Sequence, residues 1–175
     1  MDPMDATYRE RLTIGLRVMV WADLRHVLRI EADSFGHPWS EANFLEHLEN
    51  PNAVALVLER SGLVVGYEVF GIDHPRIRFY SCVVRPAFRR RGVGSSMVAH
   101  VVRLTADRAS GVLTKVPEKN VRAQLFFRQC RFWAVRVLPA CLLNDEDVYV
   151  MEFSPLEWTF PAFGSGAPLD ELIPL

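Results

Sequence analysis

A strand stopped by proline, then three arginines and two closely spaced glycines, then an apolar-striped helix constrains this chain more than any other feature. Residues 77–105 read IRFYSCVVRPAFRRRGVGSSMVAHVVRLT. Residues 77–84 have the β-branched and aromatic content of a strand, and Pro86 ends it because proline cannot donate to a ladder. Ser95 stands near the start of the next helix, and Met97, Val98, Val101, Val102 and Leu104 recur on one side of it. Between strand and helix lies Arg89-Arg90-Arg91-Gly92-Val93-Gly94. Two glycines one residue apart let the backbone turn its N–H groups toward a ligand with no Cβ in the way. A helix N-terminus adds unpaired N–H donors and partial positive charge, so the whole suits phosphate. No Gly-Lys-Ser/Thr follows, which excludes a Walker loop, and the three-glycine dinucleotide fingerprint is absent. A solvated basic turn is the simpler alternative; the framing by strand, Val-Arg-Pro and amphipathic helix favours the phosphate site.

The 175 residues suit one domain with a full core. Twenty Lys and Arg against 21 Asp and Glu leave a formal net charge of −1, so there is no bulk case for nucleic acid. The basic character is concentrated at the loop. Cys82, Cys130 and Cys141 sit in apolar contexts without paired or metal-like spacing, which predicts buried thiols, no metal site and a reducing cytoplasm. Residues 1–11 are charged and lack an apolar core, so they read as a loose leader rather than a signal peptide. No apolar run approaches membrane-spanning length.

In chain order, residues 12–19 alternate as a first strand, with Leu12, Ile14, Leu16 and Val18 on one face. Asp23 opens a helix carrying Leu24, Val27, Leu28 and Ile30, its acid placed for the helix dipole. Ser40 is the N-cap of a second helix over 41–48, ended by Asn50-Pro51. Residues 53–59 and 63–72 form a hairpin about Arg60-Ser61-Gly62. After the central helix come a strand over 112–116, a helix from Val121 to about Cys130, and closing strands over 132–138 and 148–153. Residues 154–175 are rich in proline and glycine yet carry Trp158, Phe160, Phe163 and Leu172. They form an extension that packs back on the domain or docks a partner.

Arg89-x-x-Gly92-x-Gly94, between a strand and a helix, resembles the acyl-CoA pyrophosphate loop of the GNAT superfamily of N-acyltransferases. The resemblance implies an α/β (α+β) fold with a mixed central sheet of about seven strands and helices on both faces. The order β-α-α-β-β-β-α-β-α-β-β agrees with it, and the domain would span 12–153. Leu16-Arg17-Val18-Met19, Asp23-Leu24, Val27-Leu28, Ile30-Glu31, Ser34-Phe35, Pro38-Trp39-Ser40 and Phe44 further resemble the opening of bacterial ribosomal-protein-alanine N-acetyltransferases. In that group the two-helix region and its Pro-Trp-Ser turn shape the slot for a protein's N-terminal residue.

An N-acetyltransferase must hold the CoA pyrophosphate, align the pantetheine, deprotonate the amine and protonate the departing thiolate. The resemblance implies that Arg89, Arg90, Arg91, Gly92, Val93, Gly94 and Ser95 serve the first need. Cys82, Val83 and Val84 serve the second by strand-like backbone pairing, and Asn120 matches a CoA-contacting asparagine. The group's glutamate base is replaced here by Lys115. Its Leu-Tyr-x-x-x-Gly-Phe acid motif reads Phe126-Phe127-Arg128-Gln129-Cys130-Arg131-Phe132, with phenylalanine for tyrosine and arginine for glycine. Phenylalanine has no proton to give, and a lysine is cationic by default. Tyr80 and Glu118 are therefore the candidate catalytic residues, with Glu68 and His74 behind them. The simpler readings are an exposed strand carboxylate for Glu68, a surface loop residue for His74, a solvated loop charge for Glu118 and a core tyrosine for Tyr80. Lys115 reads most simply as a strand-end lysine reaching solvent.

The expected activity is acetyl-CoA-dependent transfer to a primary amine, with a protein N-terminus as acceptor and no metal, nucleic acid or membrane involved. A small-molecule amine acceptor stays open, as does a catalytically degenerate acyl-CoA- or partner-binding module. Nothing in the sequence fixes the oligomeric state.

Overall fold

The computed structural model describes residues 14–105, 110–140 and 146–153. The element order is β1 (Ile14–Val18), α1 (Leu24–Ala32), α2 (Glu41–Glu49), β2 (Ala53–Arg60), β3 (Leu63–Asp73), β4 (Arg76–Val84), α3 (Val93–Thr105), β5 (Gly111–Pro117), α4 (Val121–Gln129), β6 (Trp133–Leu138) and β7 (Val148–Phe153). The strands form one seven-stranded sheet ordered β1-β2-β3-β4-β5-β7-β6. The expected α/β class and element order hold. The leader and the 154–175 extension lie outside the described residues, as does Cys141.

The described chain divides into two compact units. The first comprises 14–69 and 81–96, the second 70–80, 97–105, 110–140 and 146–153. In the first, β1 pairs antiparallel with β2, from Ile14↔Arg60 to Val18↔Leu56. The β2–β3 turn is the expected one, since Ser61 and Gly62 both take positive φ (50° and 79°), as a two-residue hairpin turn requires. The core is made by Leu24, Val27 and Ile30 of α1, Phe44 of α2, and Val57, Val65 and Tyr67 of β2 and β3, all buried. The Phe44 ring meets Tyr67 edge-on at 5.4 Å and Trp39 at 5.2 Å.

Ser40 caps α2 as expected: its hydroxyl accepts from the Asn43 N–H at 3.3 Å, and Asn43 Oδ1 accepts from the Ser40 N–H at 3.0 Å. Asp23 behaves differently from expectation. It is buried, receives both terminal nitrogens of Arg17 at 2.7 and 2.8 Å, and accepts the Val20 N–H at 2.9 Å. The bidentate Arg17 contact holds its carboxyl below the usual range, so the acid anchors α1 to β1 rather than serving the helix dipole.

In the second unit β4 runs parallel to β5, and β5 pairs antiparallel with β7, which pairs antiparallel with β6. A chain of rings fills this core: Phe70–Phe79 at 6.3 Å, Phe79–Phe127 at 6.1 Å, Phe127–Phe132 at 5.2 Å and Phe132–Phe153 at 5.8 Å. Tilted and edge-on pairs of this kind add to the burial of each ring.

α4 ends in a Schellman cap. The Arg131 N–H donates to Arg128 O at 3.0 Å and the Phe132 N–H to Phe127 O at 2.9 Å, with Arg131 at φ 66°. The contact of Phe132 with Phe127 is the hydrophobic closure such caps carry. The arginine noted in the sequence in place of a glycine is thus a helix-end residue in the left-handed region, where glycine has no steric penalty.

Candidate active site

β4 delivers the chain to the arginine-glycine loop. The Arg85 N–H donates to Val65 O at 2.8 Å, and Pro86–Phe88 form a single 3₁₀ turn. Arg90 (φ 63°) and Gly92 (φ 79°) then both adopt left-handed conformations, and α3 begins directly at Val93. Alternation of this kind turns successive N–H groups to one side, the geometry of an anion-binding nest. The first-turn N–H groups of Val93, Gly94 and Ser95 are those a helix leaves without an internal acceptor, whereas Ser96 N–H already reaches Gly92 O at 3.0 Å. The helix starts two residues before Ser95, so Gly94 lies inside the first turn and, of the two glycines, Gly92 alone takes a positive φ.

The three arginines divide their roles. Arg89 donates to Val84 O and to Ser34 Oγ, each at 2.7 Å, and Ser34 Oγ donates to Ile30 O at 2.6 Å. Arg89 therefore staples the loop to the end of β4 and to α1. Arg90 and Arg91 are exposed, with no carboxylate in ion-pair range among the described residues.

The edge of β4 has a second property. Its parallel register with β5 runs from Arg76↔Gly111 to Phe79↔Thr114 and ends there, while β4 itself continues to Val84 and β5 stays paired with β7 as far as Pro117↔Val148. Ser81, Cys82 and Val84 are half-buried and Val83 is buried.

Behind this edge lies a buried network that sequence reasoning missed. The Tyr67 hydroxyl donates to Glu31 Oε2 in a very short contact, and Glu31 Oε1 accepts the Trp39 N–H at 3.1 Å. The Ser81 hydroxyl stands 3.0 Å from the Tyr67 oxygen and, with the Tyr67 proton directed at Glu31, acts as its donor. Burial raises the Glu31 carboxyl, and burial together with the Glu31 charge raises the Tyr67 phenol. One carboxylate thus ties α1, the Pro38-Trp39-Ser40 turn, β3 and β4 together. Glu31 lies one turn beyond Val27 on the buried stripe of α1, and that spacing was a readable signal.

The catalytic candidates are placed as follows. Tyr80 is half-buried, with its ring over Gly71: a Cβ at Gly71 would run into the Tyr80 hydroxyl. Glu118 is exposed, its N–H bound to Asp147 O at 2.9 Å and its carbonyl accepting Gln124 Nε2 at 2.6 Å. Asn120 caps α4, with Oδ1 accepting the Ala123 N–H at 3.1 Å. Lys115 is exposed, as its simplest reading predicts, and His74 stands in the exposed turn before β4. Phe127 is only 7% exposed and packed among Phe79, Phe126 and Phe132. Glu68 contradicts its simplest reading. It is completely buried, neither oxygen has a hydrogen-bond partner among the described residues, and burial pushes its carboxyl up to about 8.

Residues 24–132 match the family model described as acetyltransferase (GNAT) family. The chain belongs to the GNAT acetyltransferase family. Over 117 residues it is 33% identical to a Bacillus subtilis (strain 168) protein assigned as a ribosomal protein bS18-alanine N-acetyltransferase, covering 66% of this chain and 78% of that one. It is 24% identical over 162 residues to an N-alpha-acetyltransferase of Sulfolobus acidocaldarius, covering 82% and 94% of the two chains. The fold matches the crystal structure of the Escherichia coli ribosomal-protein-S18-alanine N-acetyltransferase with a TM-score of 0.73 at 17% identity, covering 81% of this acetyltransferase and 94% of that chain.

Within the acetyltransferase, then, the departures from the resembled group fall on the side chains of Lys115, Phe127 and Arg131. Among the described residues no group of histidines, cysteines or carboxylates is placed to hold a metal ion, no disulfide joins Cys82 and Cys130, and no helix is long and apolar enough to cross a membrane.

Proposed function

We propose that this acetyltransferase moves an acetyl group from acetyl-CoA directly to the α-amine of a protein N-terminus, in a ternary complex formed in the cytoplasm. The observation that carries the proposal is the pair of left-handed residues, Arg90 and Gly92, opening directly into the first turn of α3. That cradle fits a pyrophosphate: it offers N–H donors from Val93, Gly94 and Ser95, and the exposed Arg90 and Arg91 belong to the same loop. The backbone of Cys82, Val83 and Val84 aligns the pantetheine along the last residues of β4, and Asn120 contacts the cofactor from the α4 cap. Arg89 shapes the loop through Val84 and Ser34.

When bound, acetyl-CoA supplies the thioester whose C–S bond breaks as the amine nitrogen bonds to the acetyl carbon. Tyr80 is the group on β4 with a proton to give the sulfur, and Glu118 takes the amine proton through water. Positioning supplies much of the acceleration, so the loss of the group's glutamate and tyrosine at Lys115 and Phe127 lowers the rate without abolishing transfer. The N-terminal acceptor is supported by the bacterial and archaeal relatives and by the Pro38-Trp39-Ser40 turn, which Glu31 holds through the Trp39 N–H.

The test is release of CoA thiol from acetyl-CoA in the presence of N-terminal peptides and, separately, small primary amines. Thiol release on a peptide class, with the acetyl group found on the α-amine, is the expected result. Release only on small amines, or none on any amine, overturns the acceptor assignment.

A further inference from the structure

The face of the second unit that carries Lys115 is basic. A cavity of about 180 Å³ there is lined by Arg78, Lys115 and Arg136 around Leu113, Leu138 and Val150. The strand registers explain why these side chains converge. Arg78 pairs with Leu113, which shares a face of β5 with Lys115; Lys115 lies opposite Val150, and Val150 lies opposite Arg136. β4, β5 and β6 each contribute one cation, and β7, which lies between β5 and β6, contributes Val150 to a shared apolar floor.

The charges are largely uncompensated. Arg78 reaches Asp73 at 3.6 Å, but both side chains are nearly half exposed, so that pair is weak. Neither Lys115 nor Arg136 has a carboxylate in ion-pair range among the described residues. The nearby Glu152 is engaged with Arg76 at 3.2 Å. A guanidinium fork beside an ammonium, above an apolar floor, matches a carboxylate on a short aliphatic stem.

We infer that this depression receives an Asp or Glu side chain of the acceptor, so that the enzyme selects acidic N-terminal segments. The inference rests on the N-terminal acceptor proposed above. Lys115 stands where the resembled group keeps its glutamate base, and the substitution that removes that base supplies an acceptor contact. Its consequence is a difference of affinities between acceptors: an acidic segment gains attraction to Lys115 and Arg136, and a basic one meets like charge.

The experiment compares the full-length wild type with the Lys115→Glu/Arg136→Glu double variant. The probes are peptides identical except for Asp-Glu or Lys-Arg at the second and third positions. Both substituted side chains are exposed, and circular dichroism checks that the variant folds. The expected kcat/KM preference for the acidic peptide is about tenfold or more, shrinking as salt rises and reversing in the double variant. Equal kcat/KM for the two peptides, or a preference unchanged in the double variant, overturns the inference and leaves the transferase reading standing.

A second arm needs no turnover. Fluorescence anisotropy follows binding of the same peptides carrying a blocked N-terminus. Tighter binding of the acidic peptide that is lost in the double variant supports the carboxylate site even if thiol release fails on every peptide. Equal binding of both peptides overturns it.

Discussion

In the proposed reaction, the loop between β4 and α3 and the segment from β5 through α4 differ in what they contribute. In the first, the useful groups are main-chain N–H donors, and the sequence needs only to place a left-handed bend before a helix. Gly92 does so, and Arg90, two residues before it, takes the same region. In the second, function depends on which atoms a side chain carries, and there the chain holds Lys115 and Phe127 where the resembled group holds a base and an acid. Backbone sites tolerate sequence change because their chemistry is conformational. Side-chain sites change role with one substitution while the fold around them stays intact, here with Phe127 absorbed into a ring cluster.

The sharpest separation of the two regions is Phe127→Ala. Removing a ring packed among three others is expected to cost about 3–5 kcal/mol in denaturant unfolding. Acetyl-CoA affinity of the folded protein is expected to stay unchanged; a parallel loss of affinity would show that the two regions are not separable.

Glu68 comes next. A carboxyl at about 8 in the folded chain against an ordinary 4.5 binds its proton more tightly when folded. Its contribution is therefore fully present below about pH 4.5 and is lost as pH rises toward 8. Glu68→Gln is expected to remove that decline, raising stability at pH 8 relative to pH 5 by on the order of 3 kcal/mol compared with wild type. Identical pH profiles of thermal unfolding for the two proteins would contradict the burial account.

Glu31→Ala is expected to destabilise by about 2–3 kcal/mol, because it leaves the buried Tyr67 hydroxyl and the Trp39 N–H without their acceptor. It should also raise KM for the acceptor peptide more than for acetyl-CoA, since the Trp39 turn loses its anchor. A loss confined to acetyl-CoA would reassign the network to the cofactor side. The smallest expected effect is Arg131→Gly, which relieves a left-handed non-glycine residue at the α4 cap and should stabilise by about 1 kcal/mol. Destabilisation instead would mean that the Arg131 side chain outweighs its backbone strain.

Much of this was legible in the sequence where a local rule acts alone. Ser40 as a cap, Ser61-Gly62 as a hairpin turn and the arginine-glycine loop each follow from one residue's conformational or hydrogen-bonding preference. What was not legible depends on residues far apart in the chain. Asp23 has the local look of a helix-dipole acid, but Arg17 on β1 claims it. Arg89 has the look of a phosphate ligand, but Val84 and Ser34 take two of its donors. Glu68 follows Val64-Val65-Gly66-Tyr67 and precedes Val69-Phe70, an unbroken apolar run that signals burial on both faces of β3. Its simplest reading, an exposed strand carboxylate, placed it wrongly in solvent.

The central claim is that the turn through Arg90 and Gly92 into α3 holds the pyrophosphate of acetyl-CoA. Calorimetric titration of acetyl-CoA into the wild type and into Gly92→Asp tests it most directly, because the substitution sets a carboxylate against the cradle. The account predicts binding to the wild type and a loss of at least about 100-fold in the variant, with the fold retained. Equal affinity in the two proteins, or no binding to the wild type, would contradict it.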